Sequence, residues 1–157
     1  MSILILYLSK HGTVEEIVKT MKNLSGEEVH IRQLDSHVNG SLIEKYDSLI
    51  VGGSIHMGKV QSRLINFCKT YSHFFKEKKS GIFLSTLTDP KEAEHYIKDS
   101  FPEEVVEACH ATGLFGGAVK FEKMNFIEKS IMKKITGKEQ SFSKIDSDRI
   151  AAFIESF

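Results

Sequence analysis

Near its start the chain runs through Ile3, Leu4, Ile5, Leu6, Tyr7 and Leu8 with no polar alternation, and no other stretch limits the fold so narrowly. A strand that is apolar on both sides must be covered on both sides, which places it inside a parallel sheet. Ser9, Lys10, His11, Gly12 and Thr13 then replace the apolar run, and Ile17, Val18, Met21 and Leu24 return at helical spacing. The order is strand, tight polar loop, amphipathic helix. Such a loop offers unpaired backbone N–H groups at a helix N-terminus, where the macrodipole also favours negative charge. Ser9 to Val14 is therefore a seat for a phosphate, with Gly12 allowing close approach of the backbone. The same residues also fit an ordinary βα turn that holds no ligand. A Gly-Lys-Ser/Thr ending and a three-glycine dinucleotide pattern are both missing, which speaks against an ATPase and an NAD enzyme.

Further along, strands and helices alternate. Glu28 to Leu34 alternates polar and apolar residues, as a half-covered strand near a sheet edge does, and Ser48 to Gly52 reads as a second buried strand. A polar loop, Ser54-Ile55-His56-Met57-Gly58-Lys59, follows it. Val60 to Phe75 carries one apolar face and reads as a helix, and Ile82 to Leu84 is the fourth strand. A third loop, Ser85-Thr86-Leu87-Thr88-Asp89, precedes Pro90, which is suited to begin a helix that Pro102 interrupts. Gly113 to Val119 reads as the fifth strand and Ile145 to Phe157 as a closing helix. This alternation predicts a doubly wound parallel sheet whose three polar loops converge at one edge. Beside the C-terminal ends of its first and third strands such a sheet binds ligands, and the three loops suit a mononucleotide carrying a flat ring.

At 157 residues and 41% hydrophobic content the chain is expected to form one domain. Its formal net charge is zero, which gives no electrostatic signal for nucleic acid. Cys68 and Cys109 lie outside any metal-type spacing and read as small buried apolar residues in a reducing compartment. No basic leader precedes the first strand, and no run approaches the roughly 20 apolar residues of a membrane span. A cytoplasmic location is expected.

The first strand with Ser9 and Gly12 resembles the phosphate loop of the flavodoxin superfamily, an apolar strand followed by Ser/Thr-x-x-Gly-x-Thr. Val14 stands where that pattern has its second hydroxyl, and Thr13, one place earlier, is the available donor. More narrowly, Gly52-Gly53-Ser54-Ile55-His56-Met57-Gly58 with Ser62, together with the basic, apolar segment after the fifth strand, is similar to the flavodoxin-type menaquinone-dependent protoporphyrinogen oxidases. The resemblance implies a flavodoxin-like five-stranded sheet of order 2-1-3-4-5 and noncovalent FMN with an exposed ring edge. It also implies electron exchange with a redox partner protein or a quinone, and a porphyrinogen as substrate. The cofactor-binding residues it points to are Ser9, Lys10, His11, Gly12, Thr13, Val14, Ser54, Ile55, His56, Met57, Gly58, Ser85, Thr86, Leu87 and Asp89; it assigns no catalytic residue. Three classes of function stay open: an FMN oxidoreductase, an electron carrier and a cofactor-free binding module.

Several residues carry two readings. His11 and His56 are either donors to a phosphate or ring position, or solvated loop histidines. Met57 is either a polarizable wall for the ring or a cap on the core. The hydroxyls of Ser85 and Thr86 suit the polar edge of a ring or nearby backbone groups. In Lys120 to Lys138 a helix would gather Phe121, Met124, Ile127, Ile131, Met132 and Ile135 on one face, with Lys123, Lys129, Lys133 and Lys134 on the other. That pattern fits peripheral contact with an anionic membrane at its inner face, and equally a helix packed on the protein's own sheet.

Overall fold

The computed structural model describes residues 1–138 and 140–157. The first apolar run becomes β1 (Ser2–Tyr7), followed by α1 (Thr13–Leu24), β2 (Glu28–Gln33), α2 (Gly40–Ile43) and β3 (Ser48–His56). Then come β4 (Lys59–Val60), α3 (Ser62–Thr70), α4 (Ser72–Glu77) and β5 (Lys79–Ser85). After α5 (Pro90–Ser100) and α6 (Glu103–Ala108), β6 (Ala111–Leu114) completes the main sheet. The chain then leaves it through β7 (Ala118–Val119), a 3-10 turn (Phe121–Lys123), α7 (Phe126–Thr136) and β8 (Phe142–Ser143), and returns with α8 (Ser147–Glu155).

The parallel strands stand in the order β2-β1-β3-β5-β6, which is the expected 2-1-3-4-5 once the short antiparallel β4 is set aside. β1 lies between two neighbours, with Ile5 opposite Ile31 on one side and Ile50 on the other. Its alternate side chains enter different cores. Ile3 and Ile5 join Ile17, Val18, Phe83, Phe115 and Phe153 beneath α1 and α8, whereas Leu4 and Leu6 join Leu49, Val51, Phe75 and Ile97 on the other face. All four β1 residues are at most 1% exposed, and burying each side chain is worth roughly 1.5–3 kcal/mol. An unbroken apolar run is what such two-sided coverage requires.

Three expectations are corrected. β3 continues through Ser54, Ile55 and His56, which were expected in a loop, because Met57 (φ 49) and Gly58 (φ 75) turn the chain tightly enough for His56 to pair with Lys59 and Ile55 with Val60. Positive φ at both central residues is the mark of a two-residue hairpin turn matched to strand twist. The helix expected over Val60 to Phe75 starts at Ser62 and is divided at Tyr71, whose backbone (φ −111, ψ 29) leaves the helical range while its ring lies 4.9 Å from that of Phe67. The fifth parallel strand is Ala111–Leu114 rather than Gly113 to Val119. Gly116, at φ 77, swings the chain away, and a Cβ there would lie 2.0 Å from the Lys144 carbonyl oxygen. Ala118 and Val119 pair instead with Ser143 and Phe142, closing the neck of the 118–143 excursion.

Cys68 is buried and Cys109 half-buried, both as free thiols. Burial pushes both thiols up, Cys109 to about 11, so at neutral pH they are protonated apolar fillers.

Candidate functional site

The loops leaving β1, β3 and β5 meet at the C-terminal edge of the sheet, at the point where strand order reverses. Between them lies a cavity of about 420 Å³, lined on this side by Ser9, Lys10, His11, Thr13 and Val14, by Ser54 to Gly58, and by Ser85 to Thr88. Of the residues expected in the site, Gly12 is not part of this lining but stands in sequence between His11 and Thr13, which are, and Asp89 lies outside it as the N-cap of α5, accepting from the Lys91 N–H at 2.9 Å.

The first loop is built around Gly12, which adopts the left-handed conformation (φ 87) as the N-cap of α1 and donates its N–H to Ser9 Oγ at 3.0 Å. No side chain caps the helix, so the N–H groups of Thr13, Val14 and Glu15 have no intrahelical partner. Val14 itself turns inward at 1% exposure, packed in the α1–α8 core. The side chain at that position is apolar, so Thr13 is the hydroxyl this loop presents. The second wall is the β3–β4 hairpin. Gln61 Oε1 accepts from the Ser54 N–H at 3.1 Å, while Ser54 Oγ is buried with no hydrogen-bond partner among the described residues. In the third wall Ser85 Oγ donates to the Gly116 carbonyl at 2.9 Å, and Thr86 Oγ1 accepts from the Thr88 N–H at 3.1 Å. Those two hydroxyls fix the loop to itself and to the start of the excursion.

The roof was not foreseen. Gly117, Ala118, Met124, Glu128, Ile131, Met132 and Ile135 complete the cavity lining, so α7 lies across the loops rather than on a sheet face. Glu128 fastens it there: its Oε2 accepts from Lys10 Nζ at 3.0 Å and lies 2.8 Å from His11 Nε2, where the ring N–H must be the donor. Lys120 pairs with Glu16 on α1 in the same manner. Lys10 first and His11 next hold the Glu128 carboxyl below the usual range, against the opposing effect of its own desolvation. His56 stands edge-on to His11 with ring centres 6.1 Å apart. Desolvation, then the Lys10 and His11 charges, lower its pKa further, so its ring is neutral at pH 7. The sequence signal for Glu128 was a cap, since Asn125 accepts from the Glu128 N–H at 2.8 Å. Nothing local tied that cap to a loop 117 residues away.

A larger hollow of about 870 Å³ lies beside β6, between α5 and α6, but none of the first two loops reaches it. The cavity over the sheet's C-terminal edge combines an uncapped helix start, where the backbone favours anions, with apolar walls at the switch point of a doubly wound α/β protein. This chain belongs to the flavodoxin domain family, whose sequence pattern it matches over residues 4–146. No curated protein matches it. Among solved structures it resembles a Streptococcus pneumoniae flavodoxin (15% identity, TM-score 0.57, covering 98% of this chain and 95% of that one). It is also similar to flavodoxin 2 of Bacillus cereus (20% identity, TM-score 0.57, 74% and 85% covered). A third likeness is to a Fusobacterium nucleatum flavodoxin bound to flavin mononucleotide (17% identity, TM-score 0.50, 71% and 68% covered). At these identities the likeness is one of fold.

Proposed function

We propose that this protein binds FMN in the cavity between the three loops and works as a redox protein. The observation that carries this reading is the meeting, in one cavity, of the uncapped start of α1 at Thr13 and Val14, which follows the left-handed Gly12, and of Ser54, whose buried hydroxyl has no partner among the described residues. The residues present fit the group. The free N–H groups of Thr13, Val14 and Glu15 with the Thr13 hydroxyl would hold the phosphate. Ser54 Oγ is the buried polar group that a ligand atom would satisfy. Ile55, Met57 and Leu87 supply apolar walls and α7 the apolar roof, which together exclude water from the ring. Bound there, FMN supplies one- and two-electron transfer. Membership of the flavodoxin domain family and the likeness to a flavodoxin bound to flavin mononucleotide support the choice of cofactor.

Within this reading we favour an oxidoreductase that takes a reductant of the protoporphyrinogen type and passes electrons to an apolar quinone. Its support is the roof: Met124, Ile131, Met132 and Ile135 make an apolar cover over the ligand seat, which suits an apolar reaction partner. The second reading, a carrier serving a redox partner protein, rests on the family and fold. Purified protein should be yellow and release FMN on denaturation, and fluorescence quenching should titrate to one FMN per chain. A folded protein that takes up no flavin at micromolar concentration removes the proposal. Anaerobic mixing with protoporphyrinogen IX and menaquinone then divides the two readings: catalytic turnover supports the oxidoreductase, and its lack supports the carrier.

A further inference from the structure

The excursion that supplies the roof also carries cations back to the first loop. If Gly12 had a Cβ, that atom would meet Lys123 Nζ at 3.0 Å and Lys120 Nζ at 3.4 Å. Two ammonium groups from the 3-10 turn and its flank thus lie over the N-terminus of α1, which already carries positive dipole. Most of the charge gathered here is already matched. Lys120, whose side chain is 13% exposed, is paired with Glu16, and Lys10 is paired with Glu128. Lys123 makes no ion pair with any described residue. The nearby carboxylates are engaged elsewhere, Glu15 with Lys19 at 2.7 Å and Glu122 with the Ser141 hydroxyl at 2.6 Å. An unpaired ammonium held against the open backbone of a helix start lacks an anion.

We propose that Lys123 is the phosphate-selecting residue of this site, so that the anionic end of the ligand binds the 118–143 excursion and the Gly12 loop together and thereby locks the α7 roof. This rests on the FMN reading and adds a residue from a distant segment to it. Neutral backbone and hydroxyl donors at Thr13 to Glu15 can hold a phosphate, but they do not tie it to the segment that carries the roof. A cation on the excursion does both, and its contribution must appear only with ligands that carry the phosphate. By reciprocity, phosphate binding must protect the excursion.

The test compares FMN with riboflavin, which differ only in the phosphate. In wild type, FMN should bind far more tightly than riboflavin and should protect residues 118–143 from limited proteolysis, whereas riboflavin should protect them little. Lys123→Met should weaken FMN by about tenfold, leave riboflavin unchanged and abolish the protection, and Lys123→Arg should restore most of the FMN affinity. Lys123 is exposed, and an unchanged melting temperature will show that the variants are folded. Equal loss for both flavins, or no loss for FMN, overturns the role of Lys123 while leaving the FMN site intact. Failure of wild type to bind either flavin overturns the FMN reading itself, and the phosphate role with it.

Discussion

Met57 is the one residue other than glycine with positive φ among those described, at 49°, and it is also 80% exposed on the rim of the cavity. A left-handed conformation costs an L-residue with an unbranched apolar side chain about 1 kcal/mol, and neither burial nor a hydrogen bond offsets that here. The turn itself favours Asn before Gly. Met57→Asn should therefore raise stability by about 0.5–1 kcal/mol in a denaturant titration, while weakening flavin binding several-fold through loss of the apolar wall. A variant that is stabilised and binds flavin normally would assign Met57 no part in the site. Glu128 makes a prediction of a different kind. Its carboxyl pKa is lower in the folded protein than its ordinary value of 4.5, so the folded state gains from its charge. That gain is complete above the ordinary range and is lost as pH falls through the lowered value. Wild type should melt above Glu128→Gln at neutral pH, and the gap should close as the pH falls below about 4. A gap that stays constant into acid would show that the clasp to Lys10 and His11 contributes nothing.

Elements whose neighbours are close in sequence were legible, and those defined by distant partners were not. β1 and α1 follow from Ile3 to Leu8 and from the spacing of Ile17, Val18 and Met21, because two-sided burial and one-sided burial leave different periods. The Ser54 to His56 extension was hidden because it depends on a turn at Met57, and methionine is not a residue that announces positive φ. The single apolar face read for Lys120 to Lys138 is divided in the structure. Met124, Ile131 and Met132 help roof the cavity, with Ile135 at its exposed margin, whereas Ile127 points outward at 69% exposure beside Phe126, which lay outside that face and is 83% exposed. That outer face, with Lys129 and Lys134 beside it, keeps peripheral contact with an anionic membrane as our proposal for the excursion. None of the described helices is long and apolar enough to cross a membrane. Each lysine near such a surface contributes about 1 kcal/mol, and salt screens it within a Debye length. Cosedimentation with anionic vesicles should accordingly be seen at low salt and fade at about 0.5 M, and Phe126→Ser with Ile127→Ser should reduce it further. Binding that ignores salt, or that is missing at low salt, would show that α7 meets something else.

The convergence of the three loops was legible because alternating strands and helices with right-handed crossovers bring such loops to one edge, whereas the strand order was expected only from the resemblance of the first loop to flavodoxins. The closure of the site was not legible, since it is made by polar contacts between segments more than 100 residues apart in sequence, as in the Lys120–Glu16 ion pair and the Glu128–His11 contact. That closure decides the redox behaviour expected of a bound flavin. Full reduction puts negative charge on the ring, and surrounding carboxylates or a stacked electron-rich aromatic make that charge costly. Among its described residues the cavity lining holds no Tyr, Trp or Phe and a single carboxylate, Glu128, which pairs with Lys10 and lies within hydrogen-bond distance of His11. Tyr96 brings its hydroxyl to within 3.5 Å of where a Cβ on Gly58 would stand, but it does not line the cavity. Each removed repulsion of ~1 kcal/mol is worth about 20 mV in a two-electron couple. An anaerobic redox titration of the FMN-loaded protein should give one two-electron wave, tens of millivolts less negative than the second step of a flavodoxin whose flavin is ringed by carboxylates and aromatics. Two well-separated one-electron steps, the second at very low potential, would return this protein to the carrier reading and leave the apolar roof to dock a protein partner.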